Sequence, residues 1–165
     1  MDAITAAGIL FTDGLRVLAG YHPSLSAWSG IGGKAEEGEA PGITAIRECC
    51  EEIYGLTPDA ATLEEMAAAL NLGEPTLTGT YALFKTCLEA LLSIAQLLEK
   101  NGYTCQFYQS FPKTLQALIE NRTTPETAEI RDVTLMPIEE GETSKEHLAP
   151  EFYEDLKNLL SPSNA

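Results

Sequence analysis

Six residues in the first third of the chain have the types and spacing for metal-dependent chemistry: Gly33, Glu39, Arg47, Glu48, Glu51 and Glu52. At about 100° per residue, a helix through this stretch places Glu48, Glu51 and Glu52 within an arc of roughly 100°. Ile46, Cys49, Cys50 and Ile53 recur at helical spacing on the other side. One face is therefore built for burial and the other concentrates negative charge. Like charges at these spacings cost roughly 0.2 to 0.5 kcal/mol per pair in an isolated helix, unless a cation sits on them. Hard divalent ions such as Mg²⁺ take carboxylate and carbonyl oxygens and complete their shell with water and substrate phosphates. The alternative is an ordinary solvated face on an acidic protein. A glycine-bounded loop directly before the helix, Gly33-Lys-Ala-Glu-Glu-Gly-Glu39, favours the cation.

The elements that must position these residues are partly visible. Ala6–Phe11 and Arg16–Tyr21 read as strands around Asp13-Gly14, a hairpin signal. Trp28-Ser-Gly-Ile-Gly-Gly33 leads into the loop. After the box helix the pattern predicts a helix over Ala61–Leu72 and strand character over Thr76–Thr86. A helix over Leu88–Lys100 and an aromatic-rich strand over Tyr103–Phe111 follow. A helix over Pro112–Asn121, a polar loop over Arg122–Glu129, a strand over Ile130–Pro137 and an amphipathic helix over Pro150–Leu160 complete the chain. Residues 1–160 read as a single domain and 161–165 as a frayed tail.

The spacing from Gly33 to Glu52 resembles the signature box of the Nudix hydrolases: G, five residues, E, seven residues, R-E-U-x-E-E-x-G-U, where U is a bulky aliphatic. All six defined positions match. Cys49 stands at the aliphatic position, where a free thiol behaves as a small hydrophobe. The closing glycine comes one residue late, as Ile53-Tyr54-Gly55-Leu56. This delay is expected to leave the glutamate spacing untouched and only move the helix stop to Gly55. More distantly, segments from Leu18 to Gly55 resemble Nudix proteins of large DNA viruses.

The resemblance implies an α/β (α+β) Nudix fold, a mixed β-sheet sandwiched between α-helices, with the helix around residues 88–100 as an insertion. That insertion is either a packing helix or a dimer element or lid. The implied activity is Mg²⁺-dependent hydrolysis (Mn²⁺ as alternative) of a diphosphate linkage in a small nucleoside diphosphate-X substrate by metal-activated water. The alternatives are mRNA cap hydrolysis and a non-catalytic nucleotide-binding module. Implied metal ligands are Glu48, Glu51, Glu52 and the Gly33 carbonyl. Arg47 would hold Glu51, and Glu39 would brace Arg47 or the loop that contains Gly32 and Gly33. Glu51, Arg47, Glu48 and a distal glutamate form the catalytic set. Glu129 is preferred over Glu126 for the distal role, as both precede the Ile130 strand. Lys34 is a candidate phosphate contact, and Tyr21, Trp28 and Tyr81 are candidates for base recognition.

Composition narrows the partners. A net charge of −15 with ten Lys plus Arg repels polyanions, so long nucleic acid is disfavoured. A pocket for diphosphoinositol phosphates is disfavoured for the same reason. A small nucleotide accompanied by Mg²⁺ stays compatible. The 44% hydrophobic content fits a globular chain, and no run approaches the roughly 20 apolar residues of a membrane span. The Met1-Asp2 opening lacks a signal-peptide pattern. Four cysteines form no disulfide framework, and neither His22 nor His147 has zinc-ligand spacing to a Cys. Reduced thiols in a cytoplasmic setting are expected, in the host cytoplasm for a viral protein, with a homodimer as one oligomeric option.

Overall fold

A computed structural model describes residues 3–141 and 144–160. The expected tail, 161–165, lies outside the described residues. The strands are β1 (Ala6–Phe11), β2 (Arg16–His22), β3 (Ala27–Ser29), β4 (Ile31–Lys34), β5 (Thr76–Thr78), β6 (Tyr81–Thr86) and β7 (Asp132–Pro137). The α-helices are α1 (Pro41–Cys49), α2 (Ala60–Leu70), α3 (Ala90–Lys100), α4 (Leu115–Glu120) and α5 (Pro150–Leu160). None of the described helices is long and apolar enough to cross a membrane.

The strands form a four-stranded mixed sheet in the order β4-β1-β6-β5 and a three-stranded antiparallel sheet in the order β3-β2-β7. Alternation along β1 divides its side chains between two cores. Ala7, Ile9 and Phe11 join Ile46, Ile53, Leu91 and Ile94, contributed by the box helix and α3. Leu10 joins Val17, Met136, Phe152 and Leu156, which brings α5 onto the opposite side. The sheets are thus held between helices, as the fold expectation requires.

Three local expectations need correction. The Asp13-Gly14 turn forms, with Asp13 Oδ1 accepting from the Leu15 and Arg16 amides at 2.9 and 2.7 Å. Its flanking strands do not pair as a hairpin, however. They meet only at the Thr12–Val17 bridge and then diverge into different sheets. Thr76–Thr86 is a tight hairpin rather than one strand, with Gly79 at φ +60° between β5 and β6. Tyr103–Phe111 is irregular. Its rings are buried like those of a strand, with Tyr108 and Phe111 in the larger core, but its backbone bonds elsewhere. Gln106 N–H donates to the Tyr54 carbonyl at 3.0 Å, and the Phe107 carbonyl accepts from Thr123 N–H at 2.8 Å.

The inserted helix α3 spends its apolar stripe on the core. Leu91, Ile94, Ala95 and Leu98 are buried, and Lys100 pairs with Glu65 of α2 at 2.8 Å. The coil that follows α3 carries Phe107 to the functional site.

Candidate active site

The box helix starts with Pro41 at its first turn, where a missing N–H costs nothing. Its hydrogen bonding widens at Cys50–Tyr54 into a π-helical turn, which Gly55 stops at φ +72°. Leu56 N–H reaches the Cys50 carbonyl at 3.3 Å, and Gly55 N–H reaches that of Glu51 at 3.1 Å. Each bond spans one residue more than in the ordinary glycine-stopped helix end. The late glycine therefore does more than move the stop. The additional residue is absorbed as a bulge that contains Glu51 and Glu52 themselves, a placement typical of functional π-turns.

Arg47 organises the carboxylates. Its side chain is 6% exposed and every N–H edge is engaged. Nε donates to Glu39 Oε2 at 2.7 Å, and one terminal nitrogen donates to Glu51 Oε1 at 2.9 Å and Glu48 Oε1 at 3.2 Å. The other donates to the Lys34 carbonyl at 2.8 Å and Glu39 Oε1 at 3.0 Å. Glu39 also accepts from Thr44 Oγ1 at 2.7 Å and the Glu36 amide at 3.1 Å. Its bonds to Arg47 hold its pKa down to about 2 despite burial, and the same pairing raises that of Arg47. Glu39 is thus the brace for Arg47.

Glu52 is in the opposite situation. It is 5% exposed, and Oε1 accepts from the Gly32 amide at 2.9 Å while Oε2 is buried without a partner. Burial pushes its pKa well up, as it does that of Glu48, where Arg47 partly opposes the effect. An orphaned buried carboxylate oxygen is costly. It is the donor that a hard cation satisfies.

Glu48, Glu51, Glu52 and Glu129 line one cavity of about 180 Å³, together with Phe107 and Ile130. The distal glutamate beside the helix carboxylates is Glu129, and Glu126 does not line the cavity. Gly33 abuts Glu48, since a Cβ there would lie 2.5 and 2.6 Å from the two carboxylate oxygens. Gly32 leaves space for the Tyr81 hydroxyl, so Tyr81 lies next to the loop rather than in the cavity wall. Lys34 is exposed and contributes its carbonyl to Arg47. Tyr21 and Trp28 stack edge-on at 5.3 Å on β2 and β3, with Arg131 over the Tyr21 ring at 4.7 Å. A larger groove of about 500 Å³ runs between α2 and α3, lined by residues such as Leu70, Cys87 and Leu97. It holds no comparable set of catalytic groups.

The donor set suits a divalent cation, though no three of these side chains are drawn to mutual ligating distance among the described residues. Glu51 and Glu48 turn to Arg47 and Glu52 to Gly32, an arrangement that keeps like charges apart. Phe107 and Ile130 line the cavity and Arg122 bonds to residues beside it; sequence reasoning singles out none of the three. Arg122 donates to the carbonyls of Glu52 at 2.7 Å, Ile53 at 2.5 Å and Ile130 at 3.0 Å.

The site is thus a glycine loop over a carboxylate-bearing helix, on a mixed sheet held between helices. Residues 2–79 match the family profile of the NUDIX domain. The matched segment, just under half of the chain, contains the glycine loop, the box helix and the glutamates Glu39, Glu48, Glu51 and Glu52, and it marks this part of the chain as similar to NUDIX domains. The chain is similar to the structure of a NUDIX-family hydrolase from Clostridium perfringens, at 14% identity over 97% of each chain with a TM-score of 0.50. A Mutator MutT protein from Bacillus halodurans aligns at 16% identity over 94% of this chain and 82% of that one, TM-score 0.44. An Ap4A hydrolase from C. elegans aligns at 15% identity over 94% and 93%, TM-score 0.42. At 14% identity the likeness to the Clostridium perfringens structure is one of fold. No curated protein matches the chain in sequence.

Proposed function

We propose that the chain hydrolyses the diphosphate linkage of a small nucleoside diphosphate-X with Mg²⁺, or Mn²⁺ in its place. The observation that carries this reading is the buried, unpartnered Oε2 of Glu52 in a cavity shared with Glu48, Glu51 and Glu129. Glu48, Glu51, Glu52 and the Gly33 carbonyl would hold the cation. When bound, it neutralises phosphate charge and acidifies a coordinated water.

The chain's own residues supply the rest. Arg47 fixes the Glu51 and Glu48 carboxylates by charge-assisted bonds. Glu129, on the loop facing the box helix, takes the proton of the attacking water as the P–O bond to the leaving phosphate breaks. Gly32 and Gly33 let the backbone come close to the ligand, and the exposed Lys34 is the phosphate contact. The small cavity and the net charge of −15 favour a compact nucleotide over an RNA body.

The test is product release from normal and oxidised dNTPs, ADP-ribose, dinucleoside polyphosphates and capped RNA, with Mg²⁺ or Mn²⁺, beside the Glu52→Gln variant. Turnover of one class should fall by about 10² to 10⁴-fold in the variant, as expected for several kcal/mol of lost charge stabilisation. Chelation should abolish it. Nucleotide binding without turnover would overturn the catalytic reading, and cleavage of capped RNA alone would redirect it to caps.

A further inference from the structure

The π-helical turn at Cys50–Tyr54 leaves the box helix with carbonyls at its C-terminal end that have lost their regular partners. Two of them, on Glu52 and Ile53, accept from the Arg122 guanidinium at 2.7 and 2.5 Å. The same guanidinium donates to the Ile130 carbonyl at 3.0 Å, next in sequence to Glu129. Its carbon lies 4.9 Å from the centre of the Phe107 ring, close enough for a cation–π contact. That ring is seated against Gly55, where a Cβ would come within 2.9 Å of it. Phe107 and Ile130 both line the cavity. The late glycine, the bulge, the coil after the inserted helix and the loop bearing the distal glutamate therefore converge on one side chain.

We infer that Arg122 is a positioning residue for the active site, fixing the Glu52 backbone against the Glu129–Ile130 loop so that the two walls of the cavity keep their separation. The inference rests on the function proposed above. Arg122 does not line the cavity and reaches no carboxylate among its bonds. It acts through the backbone from which Glu52 projects and through the residue beside Glu129. A purely structural cap would secure the helix end alone. The third bond, to Ile130, makes this a link between the two halves of the site. Supports of this kind govern ligand orientation, and their loss typically costs 10- to 100-fold in metal affinity or activity.

Lysine at position 122 keeps the charge but loses the planar fork and its stacking. The experiment compares wild type, Arg122→Lys, Phe107→Leu and Glu52→Gln in three readouts: melting temperature, Mn²⁺ affinity without nucleotide by electron paramagnetic resonance, and kcat and KM separately. Arg122→Lys should remain folded and bind Mn²⁺ about tenfold more weakly, with kcat falling about tenfold and KM changing less. Phe107→Leu, which removes only the stacked ring, should shift Mn²⁺ affinity in the same direction by a smaller factor. Wild-type Mn²⁺ affinity and kcat in Arg122→Lys would overturn the inference while leaving the proposed function standing. If Arg122→Lys does not fold, unchanged Mn²⁺ affinity in Phe107→Leu overturns it instead. Wild-type protein that takes up no Mn²⁺ would overturn both.

Discussion

Two arginines organise the acidic cavity, one within the box-helix wall and one across both walls, and they work in opposite ways. Arg47 is almost fully buried and bonds mainly to carboxylates: Glu39, Glu48 and Glu51. Arg122 is half-buried and donates to backbone carbonyls, at Glu52, Ile53 and Ile130. The first holds charge in place within one helix and its preceding loop. The second joins segments about 70 residues apart in sequence, as the 69- and 70-residue separations of its bonds show. Removing the first strands charges, whereas removing the second strands neutral dipoles. The energetic consequences should differ accordingly.

The largest effect is expected at Arg47. Arg47→Met leaves Glu39 and Glu48 buried without their counter-charge. Breaking one side of a buried ion network costs roughly 3 to 5 kcal/mol. For a chain of this size that is a fall of about 6 to 20 °C in melting temperature. Arg122→Ala should cost less, about 1 to 3 kcal/mol, because it leaves neutral carbonyls rather than charges without partners. Differential scanning calorimetry of the two variants decides this, and equal losses would break the distinction between the two arginines.

The same contrast explains what could be read from the sequence. Gly33, Glu39, Arg47, Glu48, Glu51 and Glu52 were legible because carboxylates and an arginine at helical spacing carry their chemistry in their side-chain types. The helices α3 and α5 were legible because a 3.6-residue apolar period survives any change of neighbours. Arg122 was not, because a guanidinium that binds carbonyls needs no particular partner residue and leaves no spacing to detect. The π-turn was hidden for a related reason. One additional residue before Gly55 reads equally as a later stop, and only the hydrogen bonds reveal a wider turn. The Tyr103–Phe111 segment misled because buried rings enrich an irregular stretch as they do a strand. Its Gln106 amide is committed to Tyr54 and its Phe107 carbonyl to Thr123, not to a neighbouring strand.

The glycines preceding the helix sharpen the comparison within the box-helix wall. In Gly32→Ala the new methyl meets backbone, with the Ala7 carbonyl oxygen and Gly8 Cα both at 2.7 Å. Neither can move without disturbing the β1–β4 pairing, in which Gly8 and Gly32 are register partners. Overpacking of this kind costs about 1 to 3 kcal/mol. In Gly33→Ala the three atoms nearest the methyl all belong to the Glu48 carboxyl group, the far end of a flexible side chain. The fold should tolerate it, with melting within a few degrees of wild type. Turnover should fall nonetheless, by about tenfold or more, because Glu48 is displaced from its position in the cavity. Melting curves and kcat on both variants check this, and a stable Gly32→Ala or a fully active Gly33→Ala contradicts it.

A smaller effect than at Arg47 is expected from Glu39, whose role is confined to bracing. Its pKa is lowered from 4.5 to about 2 by the Arg47 bonds, so the folded state holds this proton less tightly than the unfolded chain. Its contribution is therefore complete above about pH 4.5 and is lost as pH falls towards about 2. Glu48 and Glu52 have the opposite sign: burial raises their pKa values, so protonation on acidification relieves a cost rather than removing a support. Wild type alone would mix the two trends. Subtracting the stability of Glu39→Gln at each pH isolates the brace, since the buried carboxylates are common to both proteins. The difference should be flat from pH 7 to about 5 and shrink below that. It should stay smaller than the loss in Arg47→Met, because in Glu39→Gln the guanidinium keeps Glu48, Glu51 and the Lys34 carbonyl. A difference that grows on acidification would mean that Glu39 is a strained, buried charge like Glu52. The box-helix wall would then have no brace and would depend on the cation for its order.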